Sequence, residues 1–362
     1  MVYYYLAANA REEGNDERAD DFARQGEAAP YAKVFPNRLA DAEVIDGQLR
    51  DHPLDTHALF FMGNYLFAHG RYQEGAQSWA EAFGQGFEYS VVMRNLGLYA
   101  WRVKNDLPDA AAFYEQAVKL APEDYRLYTD LDEIYFRMGS AGRREKLFAE
   151  APASVRGRDT VLVRRALLLT QERQYDRALA LLLDHHFKPW EGGVRVREMY
   201  VLANFQKGRR AMDDNQPAVA EAAFRKALEY PHNLGSGKPD KPHDGEIWFW
   251  LGEALKAQDK ADAARDAWTR AVEEGKGISP LASLYCGLAL RRLGQKEASA
   301  NTLGPLMQVK LGEKHAAAEF YAAGLLDLYE HRNPQAPAKF TAALDADPEF
   351  WQARVMLDRV GH

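Results

Sequence analysis

Apolar side chains recur along this chain at steps of three and four, interrupted by short polar turns. That pattern predicts helix after helix, each with one buried stripe. It is clearest from Trp248 onward. Trp248, Leu251-Gly252 and Leu255 mark one face of a first helix, and Ala264, Trp268 and Ala271 mark one face of a second. Small residues at Gly252 and Ala264 let the two helices approach closely, and Trp268 and Ala271 fill the seam behind them.

The same spacing returns along the chain. Met62-Gly63 leads to Gly75, Trp79 and Ala82, and Leu96-Gly97 leads, with one extra residue in the turn, to Ala110, Tyr114 and Ala117. Gly208 leads to Ala220, Phe224 and Ala227; Cys286-Gly287 leads to Ser299, Leu303 and Leu306; Gly324 leads to Ala336, Phe340 and Ala343. Weaker copies span Leu6–Ala23, Leu131–Phe148 and Ala166–Leu182. The period of about 34 residues predicts about nine helix pairs, with a last helix opened by Pro348-Glu349 and ending near Arg359. The turns His69-Gly70-Arg71, Arg137-Met138-Gly139 and Leu293-Gly294-Gln295 each offer a glycine for the left-handed residue that ends a helix.

Composition agrees. Only 4 Ile, 7 Thr and 18 Val stand among 362 residues, and strands favour those side chains, so the expected class is all-α. The 46 basic and 53 acidic residues give a net charge of −7, which supplies no basic field for phosphates and argues against a nucleic-acid partner. No run of about 18 apolar residues is present, so no membrane span is expected. The lone cysteine, Cys286, excludes a disulfide framework and a Cys-rich zinc site, and its place before Gly287 predicts a buried small hydrophobe. No secretory leader is legible at the start of the sequence, and the expected compartment is the cytoplasm.

This pattern resembles the tetratricopeptide repeat. The resemblance implies a right-handed α-solenoid of stacked helical hairpins running as one superhelix over residues 1–362, capped by the C-terminal helix, with a concave groove lined by the first helix of each pair. Such a fold is a binding platform with no intrinsic active site. Two segments break the period, about 185–197 and about 231–246, and both read as long loops.

A narrower resemblance rests on Phe35-Pro36-Asn37-Arg38-Leu39, Arg94-Asn95-Leu96-Gly97-Leu98, His185–Gly193 and Glu229–Gly235. Together these stretches are similar to the C-terminal repeat region of bacterial proteins of the DUF5107 type, whose N-terminal β-sandwich is of a carbohydrate-active, mutarotase-like kind. The resemblance implies that this chain is the C-terminal part of something larger. The opening Met1-Val2-Tyr3-Tyr4-Tyr5-Leu6, which has no Ser, Thr, Asp or Asn as a cap, gives the same expectation.

Residues that the repeat turns toward the groove are His57, Phe60, Asn64 and Phe67 in the second pair, Arg94 and Trp101 in the third, and Thr129, Glu133, Phe136 and Arg137 in the fourth. They combine apolar area with hydrogen-bonding groups, as binding surfaces do. In later pairs the equivalent positions are Leu281, Leu284, Leu288, Leu325 and Leu328, a stretch apolar enough to need a cover: another turn of the superhelix, a partner or a second copy of the chain. His185, His186, Phe187, Trp190 and Glu191 form a candidate partner-docking loop, with Pro189 and Gly192-Gly193 shaping it.

No constellation points to chemistry. His185-His186 with Glu191 lacks the converging third or fourth ligand that zinc needs, so no metal is expected. Gly235-Ser236-Gly237-Lys238 lacks the spacing and strand of a phosphate loop. Glu133 is a single acid where glycoside hydrolysis needs a pair. No catalytic residue and no cofactor are therefore expected. The expected function is a non-enzymatic scaffold for protein or interdomain contacts, packing on a carbohydrate-active module. Its partner would be its own N-terminal module, a peptide or a second copy in a homo-oligomer. The alternatives are an autonomous peptide-binding adaptor and a sugar-binding or sugar-hydrolysing groove.

Overall fold

The computed structural model describes residues 1–189, 195–275, 279–331 and 333–360, and among these it contains 21 α-helices, two short 3-10 turns and no strand. The all-α expectation holds. The chain divides into two units, Met1–Val161 and Leu162–His362.

The first unit holds α1 (Val2–Glu12), α2 (Asp16–Ala28), α3 (Leu39–Asp51), α4 (Thr56–Ala68), α5 (Tyr72–Gly84), α6 (Ser90–Arg102), α7 (Leu107–Leu120), α8 (Tyr125–Arg137), α9 (Ala141–Glu150) and the single turn α10 (Ala153–Arg156). The unit boundary falls inside α11 (Asp159–Gln171). The second unit continues with α12 (Tyr175–Leu183), α13 (Val196–Asp213), α14 (Pro217–Ala227), a 3-10 turn at His232–Leu234, α15 (Gly245–Lys256), α16 (Ala261–Gly275), α17 (Pro280–Arg292), α18 (Lys296–Met307), α19 (Ala317–Tyr329), α20 (Ala336–Ala346) and α21 (Trp351–Val360).

Nine successive pairs account for all but α3, α10 and α21. The pairs α4–α5, α6–α7, α13–α14, α15–α16, α17–α18 and α19–α20 share one seam. In each, the first helix has a glycine whose missing side chain makes room for a large residue of the second. A Cβ on Gly63 would stand 2.4 Å from the Trp79 ring, on Gly97 2.6 Å from Tyr114, on Gly208 2.6 Å from Phe224, on Gly252 2.4 Å from Trp268, on Gly287 2.5 Å from Leu303 and on Gly324 2.7 Å from Phe340. The second helix brings its own small residue to the same level. Gly75 O would lie 2.9 Å from a Cβ on Gly63, and Ser299 Oγ donates to Gly287 O at 2.7 Å.

The weaker copies keep the register with other side chains. Ala7, Ala19 and Ala23, and likewise Ala166, Ala178 and Leu182, are fully buried at the corresponding positions. In α8–α9 the two small residues are replaced by Asp132 and Arg144, with Phe148 behind them. Arg144 Nε donates to Asp132 Oδ1 at 2.7 Å, and these side chains are 2% and 0% exposed. A buried ion pair thus fills a seam that elsewhere is closed by the absence of side chains.

Helix starts follow their caps: Asn15, Asp55, Asp106 and Ser279 each accept from a backbone N–H of the first turn. Gly70, Gly139 and Gly294 are left-handed after first helices, as the sequence predicts, and Arg173 and Asp259 adopt the same backbone where glycine is lacking.

Helix α3 lies outside the repeat pattern, and it packs on α1 and α4. It explains the aromatic start of the chain. Tyr4 Oη donates to the buried Asp55 carboxylate at 2.7 Å, Gln48 Nε2 donates to it at 3.0 Å, and Tyr5 Oη donates to Asp41 Oδ1 at 2.7 Å. Burial would raise the Asp41 carboxyl, but Tyr5 and the N–H groups of Arg38 and Asn37 hold it down at about 2.

Candidate functional site

In the first unit most of the anticipated groove residues are engaged by neighbouring side chains. His57 is buried, its ring 4.7 Å from Tyr31 and 5.2 Å from Phe87. Phe60 is buried against Phe87 and Tyr89, each 5.6 Å away. Tyr31, Phe87 and Tyr89 belong to the segments between helices, so the connections themselves cover this part of the first-helix face. Asn64 Oδ1 accepts from Trp79 Nε1 at 3.1 Å, and Phe67 packs 5.0 Å from the same indole. Trp101 is buried beneath the Arg102 guanidinium at 3.8 Å, with Arg137 at 5.3 Å, and Phe136 is buried below Arg144.

Arg94, Thr129 and Glu133 remain partly exposed. Arg94 Nε lies 3.5 Å from Asp130, whose carboxyl burial pushes up against the pull of that guanidinium. Arg137 Nε donates to Glu133 Oε1 at 2.8 Å, and Thr129 Oγ1 donates to Arg126 O.

The two period-breaking segments meet. Phe187 is buried, and its N–H donates to Asn233 O at 2.8 Å. Asn233 Nδ2 donates to the carbonyls of Leu182, Leu183 and His185 at 2.9–3.1 Å. The His185 ring stands 4.6 Å from Phe187, and Gly235 is pressed so close that a Cβ would lie 2.7 Å from Phe187 O. His186, Lys188 and Pro189 are exposed. Trp190 and Glu191 lie outside the described residues.

The open cavity of the second unit lies elsewhere. Its volume is about 300 Å³, and residues from α13, α15, α19, the start of α17 and the start of α21 line it. Of the leucines expected to need a cover, Leu281 lines this cavity. Leu284 and Leu288 are buried, and Leu325 and Leu328 pack against the cores of the same unit. The cavity walls are mostly apolar and aromatic: Val201, Phe205, Ile247, Tyr321, Phe350 and Trp351.

Two acids, Glu198 and Glu246, and one guanidinium, Arg197, also reach the cavity. Arg197 is already engaged, donating to the Asp244 carboxylate at 3.1 Å and stacking 3.8 Å from the Tyr230 ring centroid. Glu246 sits at the start of α15, half-buried, and lines the cavity. Burial pushes its carboxyl up to about 7, opposed by a hydrogen bond from Tyr285 and by the charge of Arg209. Burial, then the Glu246 charge, pushes Tyr285 up as well. Arg209 is held 3.3 Å from the Trp250 ring centroid.

This cavity is not legible in the sequence. Its lining comes from stretches up to about 150 residues apart, and no local motif joins them. The one available signal was the apolar stripe around Leu281. Cys286 is buried, as expected, and no group of three His, Cys, Asp or Glu placed to hold a metal occurs among the described residues. No helix is long and apolar enough to cross a membrane among the described residues.

Residues 62–125 and 205–277 match the family Tetratricopeptide repeat, so both units carry such repeats. Among solved structures, a tetratricopeptide repeat protein from Parabacteroides merdae ATCC 43184 is 16% identical, covers 76% of this chain and 100% of its own, and has a TM-score of 0.42. Pseudomonas aeruginosa pilF is 14% identical over 66% of this chain and 97% of its own, with a TM-score of 0.40. The Naa15/Naa10 complex bound to HypK-THB is 11% identical over 97% of this chain and 64% of its own, with a TM-score of 0.36.

Proposed function

Starting from a chain that carries tetratricopeptide repeats in both of its units, we propose that it is a non-enzymatic scaffold that takes a segment of a partner protein in the cavity of the second unit. One observation carries this reading: first helices of successive pairs converge on an open, mostly apolar cavity of about 300 Å³ with a few polar groups at its walls. Apolar area for affinity and sparse polar groups for orientation are what binding sites offer. The chemistry that an enzyme would need finds no support in the groove, where Glu133 is tied to Arg137.

The test is a displayed library of random dodecapeptides selected on the full chain, with affinities of enriched peptides measured by fluorescence anisotropy. Ala318 lines the cavity and is partly exposed, so Ala318→Arg should plug it with little cost to folding. Enriched peptides should lose about tenfold or more in affinity for this variant. Failure to enrich any peptide, or equal binding to both proteins, would refute the reading.

A second reading makes the partner a carbohydrate-active β-sandwich, as the narrower sequence resemblance implies. What favours it is the loop at 185–189, fixed by Asn233 yet presenting His186, Lys188 and Pro189 outward. Lys188→Glu should then weaken association with such a module without altering the melt of the isolated chain. Unchanged association would count against it.

A further inference from the structure

Resting on the cavity's being a binding site for a partner segment, we propose that it anchors a cationic side chain, lysine or arginine, seated between the Glu246 carboxyl and the surrounding aromatic rings. Four rings line the cavity from three places: Phe205 on α13, Tyr321 on α19, and Phe350 and Trp351 at the start of α21. Tyr321 and Phe350 brace each other at 5.4 Å and 59°, and Phe205 rests 5.7 Å from the buried Phe224. A cation over ring faces is attracted to their electron-rich surface, most strongly where water is excluded.

The charge at the walls favours the same occupant. The lining guanidinium, Arg197, is matched by Asp244 and Tyr230, which leaves Glu198 and Glu246 as the acids facing the cavity. Glu198 lies 3.7 Å from the exposed Arg195. An acidic segment would meet two carboxyls and a guanidinium already engaged. An apolar segment would fill the rings but take water from Glu246 and bring it no new partner beyond the Tyr285 hydroxyl and the Arg209 charge already acting on it. A lysine or arginine supplies that partner, and its aliphatic stem suits the apolar walls at Val201, Ile247 and Leu281. The volume, about 300 Å³, is at the small end of ligand sites and fits one long side chain with its flanking backbone. The same unit already uses this chemistry internally, with Arg209 over Trp250 and Arg270 over Trp248.

The arrangement makes binding pH-dependent. Charged and titratable groups near Glu246 or at the same walls are Arg197, Glu198 and Arg209 from α13, Tyr285 from α17 and Tyr321 from α19. With its carboxyl raised by burial, Glu246 is substantially protonated on the acid side of neutrality, so an incoming cation must displace a proton there and none at higher pH.

The experiment measures binding of blocked pentapeptides, acetyl-Gly-Ala-X-Ala-Gly-amide, to the full chain by the chemical shifts of its tryptophan indole protons. X is arginine, lysine, citrulline, leucine or glutamate; citrulline keeps the shape of arginine without its charge. At pH 8 the arginine and lysine peptides should bind about tenfold more tightly than the citrulline peptide, and at pH 6 the advantage should shrink to about threefold or less. In Glu246→Gln, whose fold is checked by its melt, the advantage should vanish at both pH values while citrulline and leucine bind as to the parent. Arginine and citrulline binding alike, or glutamate binding best, overturns the proposal. Leucine binding best and being blocked by Ala318→Arg overturns the cationic anchor but leaves the scaffold reading intact, whereas no binding by any peptide overturns both.

Discussion

Placing one methyl group on Gly252 tests the seam that repeats through the chain. In an exposed helix interior, glycine to alanine gains about 1 kcal/mol, because alanine has less backbone freedom to lose. At Gly252 the new Cβ would stand 2.4 Å from Trp268 Nε1, 2.5 Å from Cδ1 and 3.0 Å from Cε2. Those atoms belong to a rigid ring that is 7% exposed, packed in the core with Ala254 and Ala267, and it cannot swing away as a flexible chain end could. Overpacking of this kind costs about 1–3 kcal/mol, more than the propensity gain in most of that range. The expected net loss is up to about 2 kcal/mol, which for a unit of this size lowers Tm by up to roughly 8 °C. Thermal melts followed by circular dichroism at 222 nm read this directly. Repeat arrays can unfold in steps, so the same transition must be compared in every variant.

Two controls isolate the cause. A Cβ on Gly142 meets nothing within 4 Å, so Gly142→Ala should be neutral or stabilising by about 0.5 kcal/mol. Trp268→Ala by itself should cost about 3–5 kcal/mol. In that background Gly252→Ala should reverse sign and stabilise, because only the propensity term remains. A Gly252→Ala variant that melts at or above the parent, or that still destabilises once the indole is gone, would refute a seam closed by Trp268.

Further outcomes follow from the charged groups. Asp132→Ala or Arg144→Ala should each cost about 3–5 kcal/mol by stranding a buried charge, whereas Asp132→Gly with Arg144→Ala restores the small residues used by the other pairs and should cost less than either single change in urea unfolding. Glu246 should mark the pH profile of stability. Its folded carboxyl, near 7, lies above the unfolded value near 4.5, so the folded chain keeps a proton that the unfolded chain releases. Stability is therefore lost as pH rises from about 4.5 through 7, by at most about 3 kcal/mol. Glu246→Gln should gain in Tm relative to the parent between pH 5 and pH 8; parallel curves would contradict this.

The sequence alone determined that the chain is a run of helix pairs, and where their seams lie. Gly252, Ala264 and Trp268 are legible because each pair is built from contacts local along the chain, between neighbouring helices with a fixed offset. Periodicity and the absent side chain of a glycine both survive in one dimension. The weaker copies were legible as positions but not as chemistry: nothing in the spacing of Asp132 and Arg144 said that an ion pair would replace two small residues, because that depends on both groups leaving water together.

Tertiary structure alone decided which first-helix residues stay available. His57 and Phe60 are covered by Tyr31, Phe87 and Tyr89 from the connecting segments, and no repeat register predicts where a connection lies down. It also joined Phe187 to Asn233, so that two apparent interruptions became one linked feature. The cavity follows the same rule. Arg197, Glu246, Leu281, Tyr321 and Trp351 meet only because successive pairs stack within the second unit. The raised carboxyl of Glu246 is a property of that surround, since desolvation is set by neighbours in space and not by neighbours in sequence.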